Sequence, residues 1–541
     1  MKSILQLFCT IFVLYIITTV TVYAQVKAVP IPQLIEKNGR HALLVDGQPF
    51  LILGGQAHNS SAWTGMMPQV WSAIETMHAN TLEVPIYWEQ IESQQGKYDF
   101  SLVNMLLKQA RERKVHLVLL WFATWKNGSN HYMPEWMKSD AAKYPNITGK
   151  NGQPKDSPSP HTQVAMQADA KAFAEVMKYL KKADPQHTVL MVQVENEPGA
   201  WDSVRDYSAE ANKLFEGQVP AELLKPEILK ALNKIVGARG TWKEVFDKDA
   251  DEYFHAWSVA RYIETVAAAG KAVNSLPLYV NAALRDPISN PSANTYESGG
   301  PTDNVLPIWK AAAPSIDLLA PDIYLPESEK ALKIIELYDR PDNALFVPEI
   351  GSGEKFTRYF YPLLAHGGIG FSPFGIDDPE HSGGETKAET EIRLASIAQE
   401  YKMAQPMMRE LAKWSFEGLI KSVVEHEDHT LQTIDLGAWE ATVTFGTSRN
   451  AEVSPTRPYG KAMVVQLGEN EFLLIGTLCH FTFKPLGVNA GKAWQYLKVE
   501  EGQYENGKFK LLRIRNGDET DWGGPRFGEV PVVLRTTLVV R

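Results

Sequence analysis

The chain runs to 541 residues, with 54 lysines and arginines against 64 aspartates and glutamates and a formal net charge of −10. That length exceeds one ordinary domain, and 44% hydrophobic with 22% charged residues is the composition of a folded chain, not of a disordered or membrane-embedded one. A net acidic balance with no basic tract argues against nucleic acid or an anionic polymer as the main partner.

The first 24 residues differ from the rest. Lys2 is their only charge, residues 4–20 form an apolar stretch, and Val22-Tyr23-Ala24 offers a plausible cut. This pattern predicts a secretory signal peptide over 1–24 and an exported protein, periplasmic or extracellular. An anchor helix left in place is the alternative, the apolar core being borderline in length. A lipid anchor on Cys9 fits less well, because that cysteine lies inside the apolar stretch and not after it. Cleavage would leave Cys479 as the single cysteine, which excludes an internal disulfide and a cysteine metal cage.

After a Pro-rich lead at 29–32, strand and helix signals alternate. Residues 50–54 read as a strand and 68–78 as a helix; 81–85 is the second strand, with a helix over 101–113. The third strand, 115–121, leads through a long loop to an Ala/Lys-rich helix over 163–182. A fourth apolar run starts at Thr188 and stops in Glu195-Asn196-Glu197. A long insertion, 201–251, precedes a helix over 253–273. Strands five and six follow at 278–281 and 316–323, with a helix at 327–337. The seventh closes at Glu349 before a helix over 356–365; 368–371 is the eighth, and a helix over 387–413 ends the series.

Eight such units predict an α/β fold, a (β/α)8 TIM barrel over 25–415, with a doubly wound open sheet as the structural alternative. From about Trp414 the texture changes to short β runs split by Gly/Asn turns, at 431–436, 439–445, 462–467, 472–475 and 530–540. These predict a C-terminal all-β, sandwich-like accessory domain over 416–541.

Two of the apolar runs end in carboxylates, at Glu197 and Glu349. In a barrel of this kind the chemistry sits at the C-terminal ends of the strands. Two carboxyls about 5–5.5 Å apart across such a cleft are what glycoside hydrolysis with retention needs. Glu197 is then the acid/base, its proton held by burial and by its partner's charge, and Glu349 the ionised nucleophile. Asn196 would hydrogen-bond the sugar 2-hydroxyl. An isolated Asn-Glu pair is common and most glutamates are solvated; position at strand ends four and seven is what singles these out.

Here the chain resembles a known group. Val194-Glu-Asn-Glu-Pro-Gly199 is similar to the "ENE" signature of the clan A barrel glycosidases, nearest to the β-galactosidase-like families 35 and 42. Residues 80–92 running into Gly96-Lys-Tyr-Asp-Phe100 resemble the strand-two motif of those families, and Gly54-Gly-Gln-Ala-His58 their strand-one end. The likeness covers roughly 45–415. It implies a retaining exo-β-galactosidase acting on oligosaccharides or plant polysaccharide side chains, without cofactor or metal. By the same analogy His58 contacts sugar.

Three departures stand out. Family 35 usually carries Asn-Ala-Glu after strand three, where this chain reads Trp121-Phe-Ala-Thr-Trp125; Asn59 follows the strand-one His in place of a frequent Tyr; and the family 42 cysteine cluster is absent. A clan relative of other specificity (β-glucosidase, mannanase, arabinosidase) is therefore the alternative, with an inactive carbohydrate-binding barrel behind it.

Of the 14 tryptophans, Trp63, Trp88, Trp121, Trp125, Trp136 and Trp201 fall at predicted strand ends or in the loops after them. Indole faces stack on the C–H faces of sugars, and Trp88 and Trp121 are the chosen pocket walls; any one of the six reads equally well as core. Tyr324, just after strand six, would orient Glu349, or serve as a rim or core tyrosine. His426-Glu-Asp-His429 has its histidines three apart and not four, which reads as a polar connector and not a metal site. Neither a G-x-S-x-G elbow, a P-loop nor a C-x-x-C occurs, which removes the esterase, NTPase and thiol-redox readings.

Overall fold

The computed structural model describes residues 29–377, 386–446 and 459–541. The expected leader over 1–24, with Cys9, lies outside the described residues. Among them no helix is long and apolar enough to cross a membrane.

Eight parallel strands close into a barrel in chain order: Ile52–Gln56, Thr81–Tyr87, His116–Lys126, Val189–Asn196, Leu278–Ala283, Leu318–Ile323, Val347–Ile350 and Gly370–Pro373. The eighth returns to the first, pairing Gly370 with Ile52 and Phe371 with Leu53. Each strand is covered by helices outside and neighbouring side chains inside, which is why the strands read as unbroken apolar runs. The open-sheet alternative is thereby excluded.

The outer layer follows the amphipathic stretches, with helices Met67–Met77, Ser101–Arg113, Gln163–Ala183, Ala250–Lys271 and Ser328–Tyr338. The two longest pack on each other. Gly270 makes that contact possible, since a Cβ there would stand 2.3 Å from Phe173 Cε1. The predicted helix over 387–413 is two, Lys387–Ala404 and Met408–Glu417, joined by a 3-10 turn at Gln405–Met407. Pro406 lies in that turn, where its missing N–H and fixed φ disfavour a continuous helix.

Two features were not foreseen. A helix at Leu306–Ala312 precedes the sixth strand. A three-stranded antiparallel sheet (Gln33–Lys37, Arg40–Val45, Gln48–Phe50) leads into the barrel. Its two turns are Asn38-Gly39 and Asp46-Gly47, all four residues at positive φ. Asn-Gly and Asp-Gly are strong short hairpin signals, so this sheet was legible in the sequence.

Beyond Gly418 the chain is all β. A six-stranded antiparallel sheet runs Ile420–Val424, Lys461–Gln466, Glu471–Thr477, Val532–Val540, Trp494–Glu505, Lys508–Ile514. A four-stranded sheet, Gln432–Asp435, Trp439–Phe445, Cys479–Pro485 and Arg526–Phe527, packs on it. In the six-stranded sheet, strands Lys461–Gln466 and Glu471–Thr477 are apolar on both faces. Met463, Val465, Leu473 and Ile475 join the barrel core, while Ala462, Val464, Phe472 and Leu474 face the second sheet. The period of two in these strands thus docks the sandwich on the barrel. At the junction the buried Arg358 donates to Glu425 O at 2.6 Å and to Glu427 Oε1 at 2.6 Å, tying the His426–His429 segment to the barrel.

Candidate active site

The fourth strand ends in a backbone irregularity. Glu195 (φ 63°) and Glu197 (φ 43°) are both left-handed, each a cost of order 1 kcal/mol or more for a side-chain-bearing residue. Five hydrogen bonds hold the turn. Gln193 Nε2 donates to Glu195 O (2.9 Å), Trp125 N to Glu195 Oε2 (2.7 Å), Asn127 N to Asn196 O (3.2 Å), Gly128 N to Glu197 O (3.0 Å), and Glu197 N donates to Asn281 Oδ1 (2.9 Å).

In a regular strand Glu195 and Glu197 would point to the same face. The turn separates them. Glu195 meets Asp169 on the outer helix Gln163–Ala183, whereas Glu197 meets Asp322 and Glu349 at the ends of the sixth and seventh strands.

Carboxyl oxygens of Glu197, Asp322 and Glu349 lie within 4.8 Å of one another. Asp322 and Glu349 are register partners on adjacent strands. Both oxygens of Glu349 accept hydrogen bonds, from Gln56 Nε2 at 2.9 Å and from the Tyr324 hydroxyl at 2.5 Å. Glu197 is placed differently. Burial, and then the charge of Glu349, push its carboxyl up from 4.5 to about 7, against the pull of Lys126 and a hydrogen bond with Asp322. Two full charges 4.8 Å apart repel by about 3.5 kcal/mol at an effective dielectric near 20, enough to keep neighbouring acids from ionising together.

Lys126, buried at the end of the third strand, is the cation that faces Glu197, Glu297 and Asp322. The three clustered carboxyls are also the one group among the described residues near enough to share a cation. With charge offset by Lys126 and by retained protons, the arrangement is that of an acid–base centre.

Asn196 is fully buried, and neither side-chain polar atom has a hydrogen-bond partner among the described residues. Tyr324 meets Glu349 as the sequence reading expected. His58 stands where the first and eighth strands end, its N–H on Asp377 Oδ1 (2.8 Å) and its ring 5.3 Å from Phe374.

Trp88 and Trp121 are corrected. Both have no exposed surface and belong to the barrel core, not to a pocket wall. Trp121 Nε1 donates to Asp169 Oδ1 (2.9 Å) with its ring against Phe173, and Trp88 Nε1 donates to Glu92 Oε2 (2.8 Å). The cause is length. The third strand continues to Lys126, so Trp121 is mid-strand and faces the outer helices.

Of the six tryptophans singled out from sequence, Trp63 and Trp201 are the exposed ones. Trp201 flanks the acid side of the centre: a Cβ on Gly128, whose N–H holds Glu197 O, would lie 3.1 Å from Trp201 Cδ1 and 2.5 Å from Glu297 Oε1. Glu297 is buried beside Trp201, and burial and the nearby Glu197 push its carboxyl well up. Gln56, Lys126, Asn281, Glu297 and Asp322 were not singled out from sequence. Gln56, Asn281 and Asp322 nevertheless carry the signal that found the glutamates, a polar side chain at or near the end of an apolar run.

Residues 62–268 match the family model described as "Beta-galactosidase", that of glycoside hydrolase family 42, and residues 397–524 match a domain of unknown function, DUF5597. A β-galactosidase of Xanthomonas manihotis is 26% identical over 174 residues, which are 31% of this chain and 27% of that protein. The chain thus spans about a quarter of that relative's length. Among solved structures, the β-galactosidase of Rahnella sp. R3 aligns at 15% identity and TM-score 0.48, covering 68% of this chain and 58% of that one. The β-amylase catalytic domain of Paenibacillus polymyxa aligns at 12% identity and TM-score 0.48, covering 64% and 96%. Over residues 62–268, the part of the barrel that carries Glu197, the chain is thus similar to the β-galactosidases of glycoside hydrolase family 42.

Proposed function

We propose that this protein is an exported, retaining exo-β-galactosidase that removes terminal β-galactosyl residues from oligosaccharides or polysaccharide side chains by double displacement. One observation carries the reading: two buried carboxyls lie within 4.8 Å of each other, and their surroundings differ. Glu197 retains its proton to near pH 7, while Glu349 is held between two donors. In the first step Glu349 attacks the anomeric carbon while Glu197 protonates the departing oxygen. Glu349 then loses its charge on forming the glycosyl ester, and Glu197, now a carboxylate, draws a proton from the water that frees the sugar. Asn196, with both amide atoms unpartnered, is suited to the 2-hydroxyl. The stacked side chain on the leaving-group side would be Trp201.

The anomer released first tests this on a panel of aryl β-glycosides differing only at C4 or C2. The expected product is β-galactose, formed faster than any epimer. Initial α product, or indifference to the galactoside, would overturn the mechanism or the sugar assignment respectively. N-terminal sequencing of secreted protein, expected to begin after Ala24, tests export.

A further inference from the structure

Asp322 has no part in the two-carboxyl scheme, yet it stands between its members. It is buried, pairs in register with Glu349, and brings an oxygen within 4.8 Å of both glutamates. Its Oδ2 accepts from Asn281 Nδ2 at 2.6 Å, and Asn281 Oδ1 in turn accepts from Glu197 N at 2.9 Å. One amide therefore fixes both acids. Asp322 Oδ1 is buried, and no N–H or O–H of another described residue reaches it. Two facing carboxylates have no proton to share, so a hydrogen bond between Asp322 and Glu197 requires one of them to be an acid.

We propose that Asp322 is a positioning residue, a protonated carboxyl whose O–H donates to Glu197 and stabilises it as a carboxylate once the leaving group has taken its proton.

The surrounding charges favour this state. Glu349 faces Asp322 from the seventh strand, Glu197 from the fourth and Lys126 from the third; Tyr279 and Tyr338 approach from the fifth strand and an outer helix, and Tyr324 from its own strand end. Lys126 is the cation facing Glu197, Glu297 and Asp322, and one charge cannot offset both an anion at Asp322 and the carboxylate of Glu197. An anion at Asp322 would therefore repel Glu197 just as it becomes charged. Burial, then Glu349 and Glu197, push the Asp322 carboxyl well up. As an acid it adds no charge and supplies the donor that the new carboxylate needs.

The inference rests on Glu197 being the acid/base. A wild-type protein without glycosidase activity would sink that reading, whereas titration reports on Asp322 in either event. The measurement is the 13C-carboxyl NMR titration of Glu197, assigned by its loss in Glu197→Gln, in wild type, Asp322→Asn and Asp322→Ala. Asparagine keeps a neutral donor, so the Glu197 midpoint should stay within about half a unit of wild type. Alanine removes the donor to the charged form and should raise the midpoint by about one unit or more. A fall of about one unit or more in Asp322→Asn would reveal that an anion had been removed and would overturn the proposal. So would an unmoved midpoint in both variants, the behaviour of an aspartate with only a structural role. If the alanine variant does not fold, Asp322→Leu, close to asparagine in shape but without a donor, takes its place with the same expected rise, and an unmoved midpoint there overturns the proposal.

Discussion

Replacing Glu349 by glutamine removes one charge and almost no volume, and its effect on Glu197 is calculable. At a separation of at most 4.8 Å and an effective dielectric near 20, the Coulomb interaction is about 3.5 kcal/mol or more, equivalent to about 2.5 pK units. Burial is the larger cause of the rise from 4.5 to about 7 and the charge of Glu349 the second, with Lys126 and Asp322 pulling the other way. The expected outcome in Glu349→Gln is therefore a fall of about one unit or more. The assay is the same carboxyl titration, run on the inactive variant and compared with the alkaline limb of the wild-type rate profile, expected near pH 7 because the acid must be protonated. An unmoved or rising midpoint in Glu349→Gln would refute the coupling, and a wild-type midpoint near 4.5 would refute the burial argument.

Other perturbations follow the same geometry. Glu197 is a carboxyl with a raised folded-state value, so its stabilising contribution is full below about pH 4.5 and is lost as pH rises through about 7. Glu197→Gln should accordingly gain up to about 3 kcal/mol over wild type in urea denaturation at pH 8, and little at pH 4. An equal gain at both values would contradict the linkage. Tyr324→Phe deletes a donor to a charged carboxylate and should cost about 1.5–3 kcal/mol of transition-state stabilisation, seen as a fall in kcat of roughly ten- to hundredfold with KM little changed. Trp121→Ala should destabilise the fold by about 3–5 kcal/mol in denaturant while leaving relative rates among sugars unaltered, since the ring lies in the core. A change of sugar preference would restore it to the pocket. Gly270→Ala should cost about 1–3 kcal/mol through contact with Phe173, and an unchanged denaturation midpoint would contradict that packing.

Much of this architecture was legible in the residues. Buried parallel strands are short apolar runs, and runs that stop in Glu197 and Glu349 disclose which end faces the chemistry. What escaped did so for physical reasons. The third strand was read as ending at Trp121 because Thr124 and Lys126 look like loop residues. In the fold Thr124 Oγ1 donates to Asp169 Oδ2 at 2.5 Å and Lys126 faces buried acids, so polar groups continue inside the barrel. That displacement turned Trp121, a core tryptophan, into a supposed pocket wall and hid Lys126. In the C-terminal region, the edge strand Lys508–Ile514 and its neighbour Trp494–Glu505 are rich in charge because much of their surface is solvated, so no apolar run marks them. Asp322 was visible as the polar end of the sixth run, but its closeness to the two glutamates follows from barrel closure and inter-strand register, which no local pattern encodes.

The central claim is that Glu349 forms the covalent bond to sugar. A 2-deoxy-2-fluoro-β-galactoside with an activated leaving group should inactivate the enzyme with a one-to-one mass increase, and digestion should place the adduct on the peptide that contains Glu349, at that residue. An adduct on another side chain, or continued turnover of the reagent without any adduct, would contradict the account.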